Sequence, residues 1–134
     1  MTILPDQATV LLVEDDPNSY TLMLDLLKLA GVRQTYWRNT GVKALALAES
    51  LERVDLILLD LHLPGEDGFS VLRKIRAHDK LKHARVVAVT ASVNTSDLIK
   101  CQNAGFDSFI GKPVNPVRLP MQVKQLLAGE SFWW

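Results

Sequence analysis

Leu56-Ile57-Leu58-Leu59-Asp60-Leu61-His62-Leu63-Pro64-Gly65 is the stretch on which the fold turns. Four apolar residues without alternation read as a short strand buried on both faces, and the Pro-Gly pair closes a turn directly after it. The strand therefore delivers a carboxylate, Asp60, straight into a loop. Working outward, Val10-Leu11-Leu12-Val13 stops at Glu14-Asp15-Asp16, and Val86-Val87-Ala88-Val89 stops at Thr90-Ala91-Ser92. A shorter run, Ser108-Phe109-Ile110, leads into Gly111-Lys112-Pro113. Acids, a hydroxyl and a lysine recur at strand ends, where open α/β sheets bind their ligands.

Helical patterns separate these strands. Asp16-Pro17 reads as an N-cap with proline at the first helical position, followed by Met23, Leu26, Leu27 and Ala30 on one face and a stop at Gly31. Residues 32–38, with Val, Thr, Tyr and Trp, suggest a strand at or near a sheet edge. Thr40-Gly41 opens a second helix with Ala44, Leu47, Ala48 and Leu51 inward. A third carries Gly68, Val71, Leu72 and Ile75 inward, with Arg73, Lys74, Arg76 and Lys80 as a solvated charged face and His78 and His83 as surface residues. A fourth helix is expected from Thr95 to Ala104, before Gly105, and a fifth with Leu119, Val123 and Leu126 inward, ending near Ala128-Gly129. Pro120, lacking an N–H, makes that helix start late or bend. Five strands alternating with five helices predict an α/β domain, a doubly wound parallel sheet covered on both faces.

The 134 residues fit one domain, and 15 basic against 15 acidic residues give no footprint for direct nucleic-acid binding. The single cysteine, Cys101, excludes an internal disulfide and reads as an apolar filler in a reducing compartment. No apolar run is long enough to cross a bilayer, so a cytoplasmic protein is expected.

Glu14, Asp15 and Asp60, brought together at strand ends, repel one another unless a cation or proton neutralises them. An all-oxygen donor set selects Mg²⁺. Lys112 and Thr90 at the same crevice add a positive charge and a hydroxyl donor, a set suited to the oxygens of a phosphoryl group in flight. A carboxylate there can be the nucleophile itself and needs no general base.

Val13-Glu14-Asp15-Asp16-Pro17, the block from Leu58 to Gly68, Val89-Thr90-Ala91 and Lys112-Pro113 together resemble the four signature blocks of the response-regulator receiver domain, over roughly residues 8–128. The resemblance implies a flavodoxin-like fold with five strands in the order 2-1-3-4-5. It implies phosphorylation of Asp60 by a sensor histidine kinase or histidine phosphotransfer protein, with Mg²⁺ held by Glu14, Asp15, Asp60 and the backbone carbonyl of His62. Lys112 would pair with the phosphoryl oxygens, ahead of a cis Lys112-Pro113 bond. Thr90 and Phe109 would be the switch pair, working through the fourth helix, fifth strand and fifth helix on a downstream protein target. His62 and Ser92 would tune the lifetime of the phosphorylated state. Two features depart from the pattern: Glu14 stands where many members carry aspartate, and Phe109 lacks the hydroxyl of the more common tyrosine.

A haloacid-dehalogenase-like phosphatase also uses a strand-end aspartate with Mg²⁺, but that family has a second aspartate two residues on, where this chain has His62. A phosphorylation-independent binding module of the same fold would normally have lost Asp60, Thr90 or Lys112. With a core at about 8–128 and a tail at 129–134, the chain is expected to be a single receiver domain without an output domain, either acting alone or forming part of a larger regulator or hybrid kinase. The tail residues Phe132-Trp133-Trp134 are expected to pack on the protein's own surface or against a second copy, forming a homodimer, and not to reach Asp60.

Overall fold

The computed structural model describes residues 2–91 and 94–133. After a 3₁₀ turn at Pro5–Gln7, the order is β1 (Thr9–Val13), α1 (Pro17–Leu29), β2 (Gln34–Arg38), α2 (Gly41–Ala48), β3 (Leu56–Asp60), β4 (His62–Leu63), β5 (Glu66–Asp67) and α3 (Gly68–Ala77). Then follow β6 (Arg85–Thr90), α4 (Thr95–Ala104), β7 (Ser108–Gly111) and α5 (Leu119–Leu127). Five strands form one parallel sheet in the order β2-β1-β3-β6-β7, so the first strand lies inside and the second at an edge. This is the doubly wound order expected.

Alternate strand residues feed two cores. Leu11, Val13, Ile57, Leu59, Val86 and Ala88 meet Ala44 and Ala48 of α2, Val71, Leu72 and Ile75 of α3, and Cys101 of α4. Val10, Leu12, Leu56, Leu58, Val87 and Val89 meet Met23, Leu26 and Leu27 of α1 and Leu119, Val123 and Leu126 of α5. Covering both faces is what turns the strands into continuous apolar runs.

Several local expectations are corrected. β2 begins at Gln34, not Val32, because the Val32 N–H is still bonded to the Leu27 carbonyl as part of the turn that closes α1. β6 runs one residue further than expected and includes Thr90, paired with Gly111. Leu51 falls beyond the end of α2. Pro120 sits in the first turn of α5, so that helix starts late.

The charged face of α3 is not all solvated. The Arg76 guanidinium donates to the carbonyls of Ala84 (2.7 Å) and Gly105 (2.9 Å) and to Asp107 (2.9 Å), and Lys80 Nζ donates to the carbonyls of Glu49 and Leu51. His78 is not a free surface residue either, since its Nε2 lies 2.8 Å from Glu49. These groups buttress the end of the sheet opposite the Asp60 loops.

After α5, Gly129 adopts φ +91°, which turns the chain back toward β7. The tail then runs along the outer edge of β7. The Phe132 N–H donates to Ser108 Oγ (3.0 Å), and the Phe132 carbonyl accepts from Ser108 Oγ (2.5 Å) and the Phe109 N–H (3.3 Å). Arg85 holds the approach, donating to the carbonyls of Leu126 and Glu130 and to Ser131 Oγ. Phe132 packs against the α1/α5 core and Trp133 against the other, as an extended segment at a sheet edge does. The expected contact is thus with the protein's own surface, away from Asp60; Trp134 lies outside the described residues.

Candidate functional site

β3 carries Asp60 as its last residue and leaves it 5 % exposed. The chain then enters a two-residue antiparallel ladder, His62 opposite Asp67 and Leu63 opposite Glu66, closed by Pro64-Gly65. Gly68 must be glycine because a Cβ there would lie 2.8 Å from Leu61 Cα, so α3 starts in contact with the loop. The His62 N–H donates to Asp60 Oδ1 at 3.0 Å and fixes the carboxylate plane, while the His62 side chain faces solvent.

Glu14 follows β1 and is 2 % exposed; Asp15 is half-buried. One ligand oxygen from each of Glu14, Asp15 and Asp60 lies within 4.8 Å of the others. Lys112 follows β7, its N–H bonded to the Thr90 carbonyl (2.9 Å), and the Lys112-Pro113 bond is cis. Its Nζ reaches Glu14 Oε1 at 2.5 Å and Asp60 Oδ2 at 3.1 Å. Thr90 closes β6 at 1 % exposure and lines a groove with His62, Asp97, Lys100 and Cys101. Phe109, in the middle of β7, is buried and lines a second groove between α4 and α5, shared with Lys112.

Electrostatics follow from this crowding. Burial, together with the hydrogen bond it shares with Asp60, pushes the Glu14 carboxyl up to about 7, against the opposing pull of Lys112. For Asp60, burial alone would raise the pKa, but hydrogen bonds from Glu14 and the His62 N–H and the charge of Lys112 outweigh it and hold the group below the usual aspartate range. Burial would lower Lys112, but its bond to Glu14 and the charge of Asp60 keep it raised. Asp60 is thus ionised and the pair is one positive charge short of neutrality, a deficit met by a proton on Glu14 or by a cation. The donors are hard oxygens throughout, which fits a divalent cation such as Mg²⁺.

Asp60, Glu14, Asp15 and Lys112 therefore meet as the sequence suggests. Phe109 lies inside β7, before the strand reaches Lys112, and Ser92 falls outside the described residues. Sequence reasoning missed two supporting residues. Glu66 caps α2 from the loop after Asp60, accepting from the N–H groups of Gly41 (2.7 Å) and Val42 (3.1 Å). Trp37 donates its indole N–H to the Glu14 carbonyl at 2.8 Å. The only sequence signal for either is a polar handle beside a helix start or strand end.

Known proteins agree with this geometry. Residues 10–124 match the response regulator receiver domain. The polar-differentiation response regulator DivK of Brucella anthropi is 34 % identical over 119 residues, covering 89 % of this chain and 95 % of DivK. The transcriptional regulatory protein GltR of Pseudomonas aeruginosa is 35 % identical over 92 % of this chain, which spans 50 % of GltR. The receiver domain of the sensor histidine kinase PA1611 from Pseudomonas aeruginosa PAO1, solved with a magnesium ion coordinated in its active-site cleft, superposes with a TM-score of 0.78 at 32 % identity, covering 92 % of this chain and 98 % of that one. Among the described residues no helix is long and apolar enough to cross a membrane. Four strand-end blocks, their convergence on Asp60 and a match across most of the chain lead to one assignment: the chain belongs to the response regulator receiver domain family.

Proposed function

We propose that Asp60 is the phosphoacceptor, taking a phosphoryl group from a phosphohistidine on a sensor histidine kinase or histidine phosphotransfer protein and later releasing it to water. The carrying observation is a nearly buried Asp60 set between a lysine and two further acids. One Asp60 oxygen forms the new O–P bond as the P–N bond of the donor breaks, and the departing imidazole nitrogen keeps the electron pair and takes a proton from solvent. Lys112 turns from the carboxylates to the phosphoryl oxygens, and the Thr90 hydroxyl donates to the same oxygens. Glu14, Asp15, Asp60 and the backbone carbonyl of His62 would hold Mg²⁺, which when bound neutralises charge on the transferring group. The chain would in this way catalyse its own phosphorylation and dephosphorylation, with His62 and Ser92 setting the lifetime through water access.

Readout would pass from Thr90 to Phe109 and on to α4, β7 and α5, where a downstream protein target docks. Lys112 and Phe109 lining one groove supports that route. We read residues 1–134 as a single receiver domain, with the tail closing part of the β7 edge. The phosphatase alternative is not favoured, since the similarity is to receiver domains and His62 replaces the second aspartate.

Intact-mass measurement after incubation with Mg²⁺ and acetyl phosphate tests the reading. One phosphoryl mass is expected, absent without Mg²⁺, absent in Asp60→Asn, and reduced in Asp15→Ala together with Mg²⁺ affinity. A phosphoryl mass on Asp60→Asn would refute it.

A further inference from the structure

Glu14 and Asp15 sit where β1 ends, and the edge strand β2 fixes that point in space. The Glu14 N–H donates to the Arg38 carbonyl at 3.2 Å, and the Glu14 carbonyl accepts from Trp37 Nε1 at 2.8 Å. On the far side of the pair, the Asp16 N–H donates to Glu14 Oε2 at 3.2 Å, and Asp16 caps α1 by accepting from the Ser19 N–H at 3.0 Å. The Trp37 ring is in turn covered by Tyr20, from the first turns of the same helix, with centroids 4.0 Å apart and planes inclined by 32°. Tyr20 and Trp37 both pack against the α1/α5 core.

A strand-end carbonyl without a partner leaves the following peptide free to rotate, and with it the carboxylates of residues 14 and 15. The indole N–H removes that freedom at the residue whose own side chain meets Lys112 and lies within reach of Asp60. An edge strand needs no tryptophan to pack against one helix; an aliphatic side chain would fill the same surface but could not bond the carbonyl. Trp37 therefore stands to the acidic pair as an outer partner stands to a ligand it orients.

We propose that Trp37 is a positioning residue for the cation site, holding the Glu14-Asp15 peptide through its indole N–H while Tyr20 holds the ring. This rests on Glu14, Asp15 and Asp60 forming a cation site. Removing the N–H while keeping an aromatic ring should leave the fold intact and loosen the ligand set.

The test is a Mg²⁺ titration of the full chain by calorimetry and by tryptophan fluorescence, in parallel with thermal melts. Wild type should bind Mg²⁺ with a change in Trp37 emission. Trp37→Phe should bind about tenfold more weakly, lose that emission change, and melt within a few degrees of wild type. Should Trp37→Phe fail to fold, Tyr20→Leu, which keeps Trp37 and its N–H but frees the ring, should likewise bind Mg²⁺ more weakly than wild type in the calorimetric titration. Equal Mg²⁺ affinity in wild type and the folded variant overturns the role of Trp37 alone. A wild-type chain that takes up no Mg²⁺ overturns the cation site itself, and the inference with it.

Discussion

Glu66→Ala removes a helix cap supplied from 25 residues away. The first turn of α2 has its N–H groups accounted for one by one: Glu66 Oε1 takes Gly41, Glu66 Oε2 takes Val42, and Thr40 Oγ1 takes Lys43 at 3.1 Å. Gly41 is buried, so without Glu66 its N–H loses a charge-assisted bond where water enters poorly. Val42 is 64 % exposed, so its N–H can turn to solvent at little cost. The buried bond is worth about 1.5 kcal/mol and the exposed one about 0.5 kcal/mol, for a total near ~2 kcal/mol.

For a chain of this size that corresponds to a fall in melting temperature of roughly 8 °C, taking about 4 °C per kcal/mol. Circular-dichroism melts and urea titrations measure it, and Glu66→Gln, which keeps an acceptor for Gly41, should lose about half as much. Hydrogen exchange adds a local check: the Gly41 amide should exchange faster in Glu66→Ala, while amides in α5 should not. A melting temperature unchanged within 2 °C of wild type, or unaltered Gly41 exchange, would show that the cap contributes nothing, and the accounting of α2's first turn would be wrong.

Arg76→Ala should destabilise the fold by about 2 kcal/mol, because it strips a partner from the carbonyls of Lys82, Ala84 and Gly105 and from Asp107, whereas Arg73→Ala, which loses one exposed bond to Ser70, should change urea stability by less than about 0.5 kcal/mol. Phe132→Ala should lower stability by about 1 to 2 kcal/mol through lost apolar contact at the β7 edge, seen in the same titrations. Burial raises the Cys101 thiol above its ordinary value. Above the unfolded pKa the unfolded chain releases this proton more readily than the folded one, so this cysteine's contribution to stability is lost as pH rises beyond 9. The stability difference between wild type and Cys101→Ala should shrink from pH 8 to 10, and a thiol reagent should label the folded protein only as fast as it opens.

The sheet was legible because both of its faces are covered. That forces runs such as Leu56-Ile57-Leu58-Leu59 to be apolar throughout, and their ends then stand out as polar punctuation. The caps of α1 and α2 were legible because Asp16 and Thr40 lie three residues before the N–H groups they accept. What escaped the reading is contact between residues distant in sequence. In sequence Trp37 counts only as a β-favouring residue of an edge strand, Glu66 is given no role and Arg76 reads as solvated charge, and each is fixed by a partner 8 to 31 residues away. The tail showed no periodicity from which pairing with Ser108 and Phe109 could have been read.

The candidate site sets two buried carboxylates against one lysine, an arrangement that would relax if its loops could part. Each loop is instead fastened to a neighbour. The end of β1 is tied to β2 through Trp37 and Arg38, and the loop after β3 to β6 through the Leu61 N–H and the Val89 carbonyl (3.2 Å). That same loop is held to α2 through Glu66, and the end of β7 to β6 through Lys112 N–H and the Thr90 carbonyl. With separation blocked, repulsion between Glu14 and Asp60 must be relieved chemically, by a proton on Glu14 near neutral pH or by a bound cation. The restraints that sequence reading missed are thus the ones that keep the charge deficit in place. That deficit is what makes the end of this sheet attractive to a metal ion.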